Sequence, residues 1–193
     1  MHDSPRVAAR RILREGMVVT YSIVSRDPET GDLGVAVQSH WFGAGAEVMW
    51  AQSGVGAIAT QATIEVSYGP EGLALMQSGV SAADVLEQLL AADEGRDHRQ
   101  VAMVDAAGNV AVHTGSCCIR EAGHRTGDGF SAQANLMRRE TVWDAMHDAY
   151  EQSAGKDLAH RMIDALDAAE AEGGDIRGRQ AAGVLVVRET PSG

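Results

Sequence analysis

Lysine is all but missing from this chain: Lys156 is the single one among 193 residues. Schiff-base, lysine-activated and P-loop mechanisms therefore have one residue to draw on. Cysteine is nearly as scarce, with only Cys117 and Cys118, and neighbours in sequence bridge each other only through a strained ring. They read as reduced thiols rather than a disulfide framework. No run of 18 apolar residues occurs, and the first 16 residues lack an apolar central stretch, so neither a spanning helix nor a secretory signal is expected. That points to the cytoplasm and to no membrane partner. Positive charge is also short, 16 basic against 27 acidic residues for a net −11, which argues against a nucleic-acid partner. The fingerprints GxGxxG, Walker A, HExxH and GxSxG are all missing, so the expectation is no cofactor and no metal.

What is present is a globular composition, 45% hydrophobic and 22% charged, with a high 22 glycines. Residues 1–17 carry Arg6, Arg10, Arg11 and Arg14 with few large apolar side chains, and read as a flexible basic arm. Met17 is a second candidate initiator. Residues 18–190 read as one domain. Val18 to Ser25 and Gly34 to Ser39 flank a stretch dense in turn formers, Asp27-Pro28-Glu29-Thr30-Gly31-Asp32, and so predict a hairpin. A turn centred near Glu29 and Thr30 sets Thr20 opposite Ser39. Gly54 to Gln61 predicts a further strand. One helix opens at Gly69-Pro70, and a second at Ser81 with Asp84 three residues on. Arg99 to Asp105 and Asn109 to Thr114 predict a second hairpin, and Phe130 to Asn135 another strand. Two amphipathic helices follow, around Val142, Met146 and Tyr150 and around Leu158, Met162 and Leu166. Ala181 to Val187 closes the order. Strands then paired helices, twice, predict an α+β fold of two stacked antiparallel sheets with helices outside each, a four-layer αββα sandwich.

Several residues are chemical candidates, each with a plainer alternative. Ser153 and Lys156 match SxxK, a weak pattern, and Ser153 serves equally to open the following helix. His113, Cys117, Cys118 and His124 are soft-ligand types, but adjacent cysteine side chains diverge and suit zinc poorly. Thr60, Gln61, Gln133 and Asn135 end strands, where amides and hydroxyls orient a substrate carbonyl or simply satisfy the strand end. Gln38, beside Ser39, faces the other way. In the run Gly174 to Gln180, Arg177 or Arg179 presents a fork suited to a substrate carboxylate, unless it braces the loop by pairing with Asp175. Trp41, Phe42, Met49 and Trp50 fall within ten residues, enough for a homodimer interface or for the chain's own core.

The segment TYSIVSRDPETGDLGVAVQSHWFGAGAEVMWAQSGVGAIATQATIEVSYGPEGLALMQSG, followed by HRQVAMVDAAGNVAVHTG, AGHRTGDGFSAQANLM and GGDIRGRQAAGVLVV, resembles the blocks of domain-of-unknown-function family 1028 in order. The resemblance runs from about Thr20 to Val187. It implies an N-terminal nucleophile (Ntn) hydrolase-like fold. In such enzymes a Thr, Ser or Cys heads the mature chain and its free α-amine, with a pKa near 8, takes the proton of its own side chain. The resemblance places Thr20 in that role. The hairpin register adds Ser39, the strand ends add Thr60, Gln61, Gln133 and Asn135, and the loop before the last strand adds Asp175 and Arg177, so the expected site has Ser39 and Asp175 assisting Thr20 and the others lining it. The expectation is a hydrolase of an amide or other C–N bond of a small carboxylate-bearing substrate; the alternative is a binding or assembly protein that keeps the sandwich. Thr20 has nineteen residues before it, so an amine base requires their removal.

Overall fold

In β2 (Thr20–Arg26) and β3 (Leu33–Ser39) side chains alternate between two faces, and each face is buried against something different. The structure is a computed structural model describing residues 17, 18 and 20–188. The expected basic arm lies outside these residues apart from Met17. The predicted hairpin register holds: Thr20 faces Ser39 and Arg26 faces Leu33 across the β2–β3 pair. The upstream strand differs from expectation. Met17–Val18 forms a separate β1, which pairs with the other sheet, so the chain changes sheet between Val18 and Thr20. Alternating polarity carries no sign of such a switch.

After β3 come a short helix α1 (Ala44–Glu47) and β4 (Met49–Gln52), neither foreseen from the sequence, and then β5 (Gly56–Thr63). Helices α2 (Tyr68–Gln77) and α3 (Ala82–Ala92) follow, the latter opened by Ser81, whose side chain accepts from the Asp84 N–H as expected. A 3₁₀ turn leads to β6 (Arg99–Asp105), β7 (Val110–Thr114), β8 (Gly123–Gly127) and β9 (Phe130–Ala134). Last are α4 (Val142–Gln152), α5 (Leu158–Ala171) and β10 (Ala181–Val187). β8, Gly-His-Arg-Thr-Gly, has no apolar residue to signal a strand. Ser153 ends α4, donating to the Tyr150 carbonyl, while Asp157 opens α5; Lys156 pairs with Asp164. Neither member of the SxxK pattern is set against the other.

Two antiparallel five-stranded sheets result. One runs β1-β5-β6-β7 with β4 also on β5, the other β10-β3-β2-β9-β8. Val24, Val35 and Val37 meet Ala57, Ala59, Ala102 and Val104 between the sheets. Ile23, Ala36 and Phe130 face Met146, Tyr150, Met162 and Leu166 of α4 and α5. Ile58, Val101 and Met103 face Tyr68, Leu73, Val85 and Leu86 of α2 and α3. Alanine and valine at the sheet-to-sheet seam keep the two backbones close, while the larger residues lie under the helices. Gly69 is required where α2 crosses Trp50: a Cβ there would stand 2.2 Å from the indole. Met49 and Trp50 pack against the core, whereas Phe42 is 87% exposed and Trp41 38%. The core reading thus holds for Met49 and Trp50, and Trp41 and Phe42 stand on the surface. No helix among the described residues is long and apolar enough to cross a membrane.

Asp93 joins three elements at the end of α3. Its carboxylate accepts from Arg99 Nε at 2.8 Å, the Gly95 N–H at 2.7 Å and the Tyr68 hydroxyl at 3.1 Å. The Arg99 guanidinium holds its carboxyl below the usual value against the opposing effect of burial, and burial pushes the Tyr68 hydroxyl up. A carboxyl lowered in the folded state stabilises the fold above its unfolded pKa of about 4 and loses that contribution as pH falls below it. Asp93→Asn should therefore cost about 2 kcal/mol at pH 7 by urea denaturation, and the gap to wild type should close as the pH falls towards 2.

Candidate active site

Residues on the seam face of β2 and β3 change from valine to hydroxyl and amide towards one end of the sheets. Val24 and Val35 give way to Ser22, Thr20 and Ser39, and opposite them Ala59 and Ala102 give way to Gln61 and Gln100. Thr20, Ser22, Ser39, Gln61, Gln100, Ser131 and Gln133 are fully buried and Asn135 is 1% exposed. Buried polar groups on this scale are tolerable only when their hydrogen bonds are met within the protein.

The bonds centre on the Thr20 carbonyl. The Asn135 backbone N–H donates to it at 3.0 Å, Asn135 Nδ2 at 3.3 Å and Gln61 Nε2 at 3.4 Å. Each side-chain amide also donates to Gln100 Oε1, Gln61 at 2.7 Å and Asn135 at 3.0 Å. Two NH₂ groups thus bridge the same two oxygens and close a four-cornered clamp. Gln100 fixes its orientation, because its own Nε2 donates to Thr114 Oγ1 at 2.9 Å and to the Ala134 and Gly123 carbonyls. From Gln61 the chain of bonds continues into the other sheet: Ser22 Oγ donates to Gln61 Oε1, Gln133 Nε2 to Ser22 Oγ, and Ser131 Oγ to Gln133 Oε1. Outward from Gln100, Thr114 Oγ1 lies 2.9 Å from Nδ1 of His124, whose pKa is lowered by burial and then by the neighbouring His113. A neutral imidazole suits an Nδ1 that accepts from Thr114.

Backbone strain marks the same place. Ala62 (φ 69°) and Leu136 (φ 53°) are the non-glycine residues with left-handed φ among the described residues. Each immediately follows a clamp amide, Gln61 and Asn135. A left-handed non-glycine residue costs of order 1 kcal/mol and persists where its surroundings over-determine it. Ala62 lies near the end of β5, and Leu136 just past the end of β9.

The Thr20 hydroxyl donates to Ser39 Oγ at 3.1 Å, as the register led one to expect. The structure therefore gathers Thr20, Ser39, Gln61, Gln133 and Asn135 into one network. Thr60 stands apart: it pairs with Val101 on the helix-covered face and donates to the Glu65 carbonyl. Adjacent strand residues point to opposite faces, so Thr60 and Gln61 never line one site. Asp175 and Arg177 reach the same end of the sheet on the loop before β10, beside Met137 and His40. Asp175, with its side chain wholly buried, accepts from Arg177 through Nε at 3.1 Å and Nη2 at 2.9 Å, and from the His40 N–H at 3.3 Å. The loop-bracing pair is what forms. Gln38 lies on the other face, buried, with no partner for its amide among the described residues.

Gln100 was not foreseen. Its signal lay in the sequence all the same, as the polar member of the inward-facing series Gln100, Ala102, Val104. The cysteine–histidine group does not converge: His113 bonds the Arg96 carbonyl, and Cys118 donates to the Arg99 carbonyl, its thiol pushed up to about 11 by burial. Among the described residues no three His, Cys, Asp or Glu side chains are placed to hold a metal ion.

The model of a family described as "Family of unknown function (DUF1028)" matches residues 20–192, and its first matched residue is Thr20. The chain belongs to this family. A crystal structure of protein SPO2555 from Silicibacter pomeroyi, itself described as DUF1028, is similar at 31% identity and a TM-score of 0.82 over 88% of this chain and 74% of that one. No curated protein matches.

In this DUF1028 member the clamp depends on Gln100, and removing it leaves two amide groups with buried, unpaired hydrogens. Gln100→Leu should cost about 3 kcal/mol, against about 1 kcal/mol for Ser131→Ala at the network's outer end, by urea denaturation.

Proposed function

We propose that this chain is an Ntn-hydrolase-like αββα sandwich that hydrolyses an amide or other C–N bond of a small, carboxylate-bearing substrate, with Thr20 as nucleophile. The observation that carries the reading is Thr20 itself: a hydroxyl at the first residue of β2, bonded to Ser39, with its carbonyl held by three donors. The family match beginning at Thr20 supports it. So does the order of packed layers, helices, sheet, sheet, helices.

In the chain as it stands the Thr20 nitrogen belongs to a peptide bond and is not basic. Cleavage of the bond between Val19 and Thr20 gives an α-amine with a pKa near 8, able to accept the hydroxyl proton as Thr20 Oγ1 attacks the substrate carbonyl carbon. The tetrahedral intermediate collapses with loss of the amine, which takes that proton, and water then hydrolyses the Thr20 ester. Ser39, at hydrogen-bond distance from Thr20 Oγ1, steadies the developing charge. Gln61, Gln133 and Asn135 hold the nucleophile rather than the substrate. Arg177 is engaged by Asp175, so Arg179, with its side chain 73% exposed and 3.5 Å from Glu170, is the better placed of the two to read a carboxylate.

A second reading, a binding or assembly protein, is favoured by one observation: β1 is paired to Ala62 and Thr63 while Thr20 is fully buried. Intact mass and N-terminal sequencing of the purified protein separate the two. The hydrolase reading expects a chain beginning at Thr20. On a panel of small amides its kcat/KM rises with pH towards a limb near 8, and Thr20→Ala loses at least 10³-fold of it. Active protein that still begins upstream of Thr20 removes the amine-base mechanism.

A further inference from the structure

Four strand edges bound the two sheets, and three of them carry features that discourage pairing. β8 presents His124 and Arg125, β7 carries His113 bonded to the Arg96 carbonyl, and the fourth side of the first sheet is divided between the two-residue β1 and the four-residue β4. β10 differs. Its seven residues, Ala-Ala-Gly-Val-Leu-Val-Val, include no charge and no proline, and they pair with β3 from Ala181↔Ser39 to Val187↔Leu33 without a bulge. Among the described residues no strand pairs with its other side.

The exposed apolar surface extends above this edge. Val184, 39% exposed, pairs with Ala36, which faces the α4–α5 layer, so Val184 and the exposed Ala182 point to the α5 side. On α5 itself, Arg161 lies over the Tyr150 ring of α4, and Ile163 is two residues, about 200°, further round the helix. Ile163 therefore lies on the flank towards β10, in line with Glu170, which pairs with Arg179 just before that strand. It is 41% exposed. The other face of β10 is closed off, since Gly183 abuts Met49 and Gly45.

We propose that this edge is a homodimer interface, in which β10 pairs antiparallel with β10 of a second copy and the Ile163 flanks of the two α5 helices meet above it. A lone extended peptide would satisfy the strand but leave Ile163 uncovered; a second copy brings both a strand and a helix to the same two levels. Antiparallel pairing is the arrangement that a two-fold axis allows for a strand meeting itself. The strip is about 24 Å long and two layers high, so each copy buries on the order of 500–600 Å² and the pair about 1,100 Å², within reach of a specific interface. Arg179 with Glu170 at one end and Arg188 with Asp32 at the other carry their own counter-charges, so the antiparallel ends meet without net repulsion.

Sedimentation equilibrium on the full chain between 1 and 100 µM tests this. The expected species is twice 20.3 kDa, and Val184→Lys and Ile163→Asp should each raise the dimer Kd at least tenfold, with circular dichroism unchanged and with the Tm unchanged in protein diluted below the wild-type Kd. Hydrogen exchange at 100 µM should show the outward β10 amides protected in the wild type and faster in Ile163→Asp in step with its larger monomer fraction, with β2 and β3 unaffected. A wild type that is monomeric at 100 µM overturns the proposal, as does a dimer that survives both substitutions. A dimer lost only on Phe42→Ser overturns it too, moving the contact to the 41–42 loop.

Discussion

The Thr20 carbonyl is where the two sheets are tied together. Asn135 comes from the end of one sheet, Gln61 and Gln100 from the other, and all three meet on or one bond away from that oxygen. An unpaired amide in this dry seam would cost one to three kcal/mol, so each member is held in place by the penalty of losing its neighbours rather than by a large gain of its own. The consequence is register. Sliding either sheet by a residue would break the clamp at both NH₂ groups together, whereas the Ala and Val contacts further along the seam would tolerate the shift with modest loss. Packing makes the sandwich stable, and the polar end makes its alignment unique.

That division explains what could be read from the chain. The β2–β3 register follows from the turn run Asp27 to Asp32, because a hairpin is local and its turn chemistry fixes which residues face each other, even Thr20 and Ser39, nineteen positions apart. Ser39 was found for that reason. Gln61, Gln133 and Asn135 were recognisable as polar strand ends, yet their partners were not, since a bond between Gln61 and Gln100 depends on two strands being laid side by side and a bond to Thr20 depends on a second sheet above them. Thr60 was grouped with Gln61 by adjacency in sequence, which on a strand places side chains on opposite faces. β8 carries no signal because its own residues lack the apolar side chains that mark a strand, and the change of sheet between β1 and β2 carries none because it alters neither hydropathy nor spacing.

Asp175 and Arg177 show how one residue pattern supports two chemistries that only geometry distinguishes. A guanidinium two residues from a carboxylate on a glycine-flanked loop suits either substrate capture or self-bracing. The buried position of Asp175, with a further bond from the His40 N–H, favours bracing, because an uncompensated carboxylate at that depth would be strongly disfavoured. The pair thereby fixes the loop that follows α5 against the strand end carrying Ser39, and the same loop delivers the chain into β10.

Thr20 is held from its carbonyl side and from its hydroxyl, through groups that lie within the described fold, and none of these bonds uses its nitrogen. A cut on the N-terminal side of Thr20 would break the link to β1 without touching the clamp, so the residue would keep its orientation while its nitrogen changed from amide to amine. On the proposed mechanism, a nucleophile generated this way would keep its clamp unchanged. The left-handed residues Ala62 and Leu136 fit the same account: strain beside both clamp amides is sustained by bonds converging on one oxygen, and that oxygen belongs to the residue whose position the proposed chemistry would most need fixed.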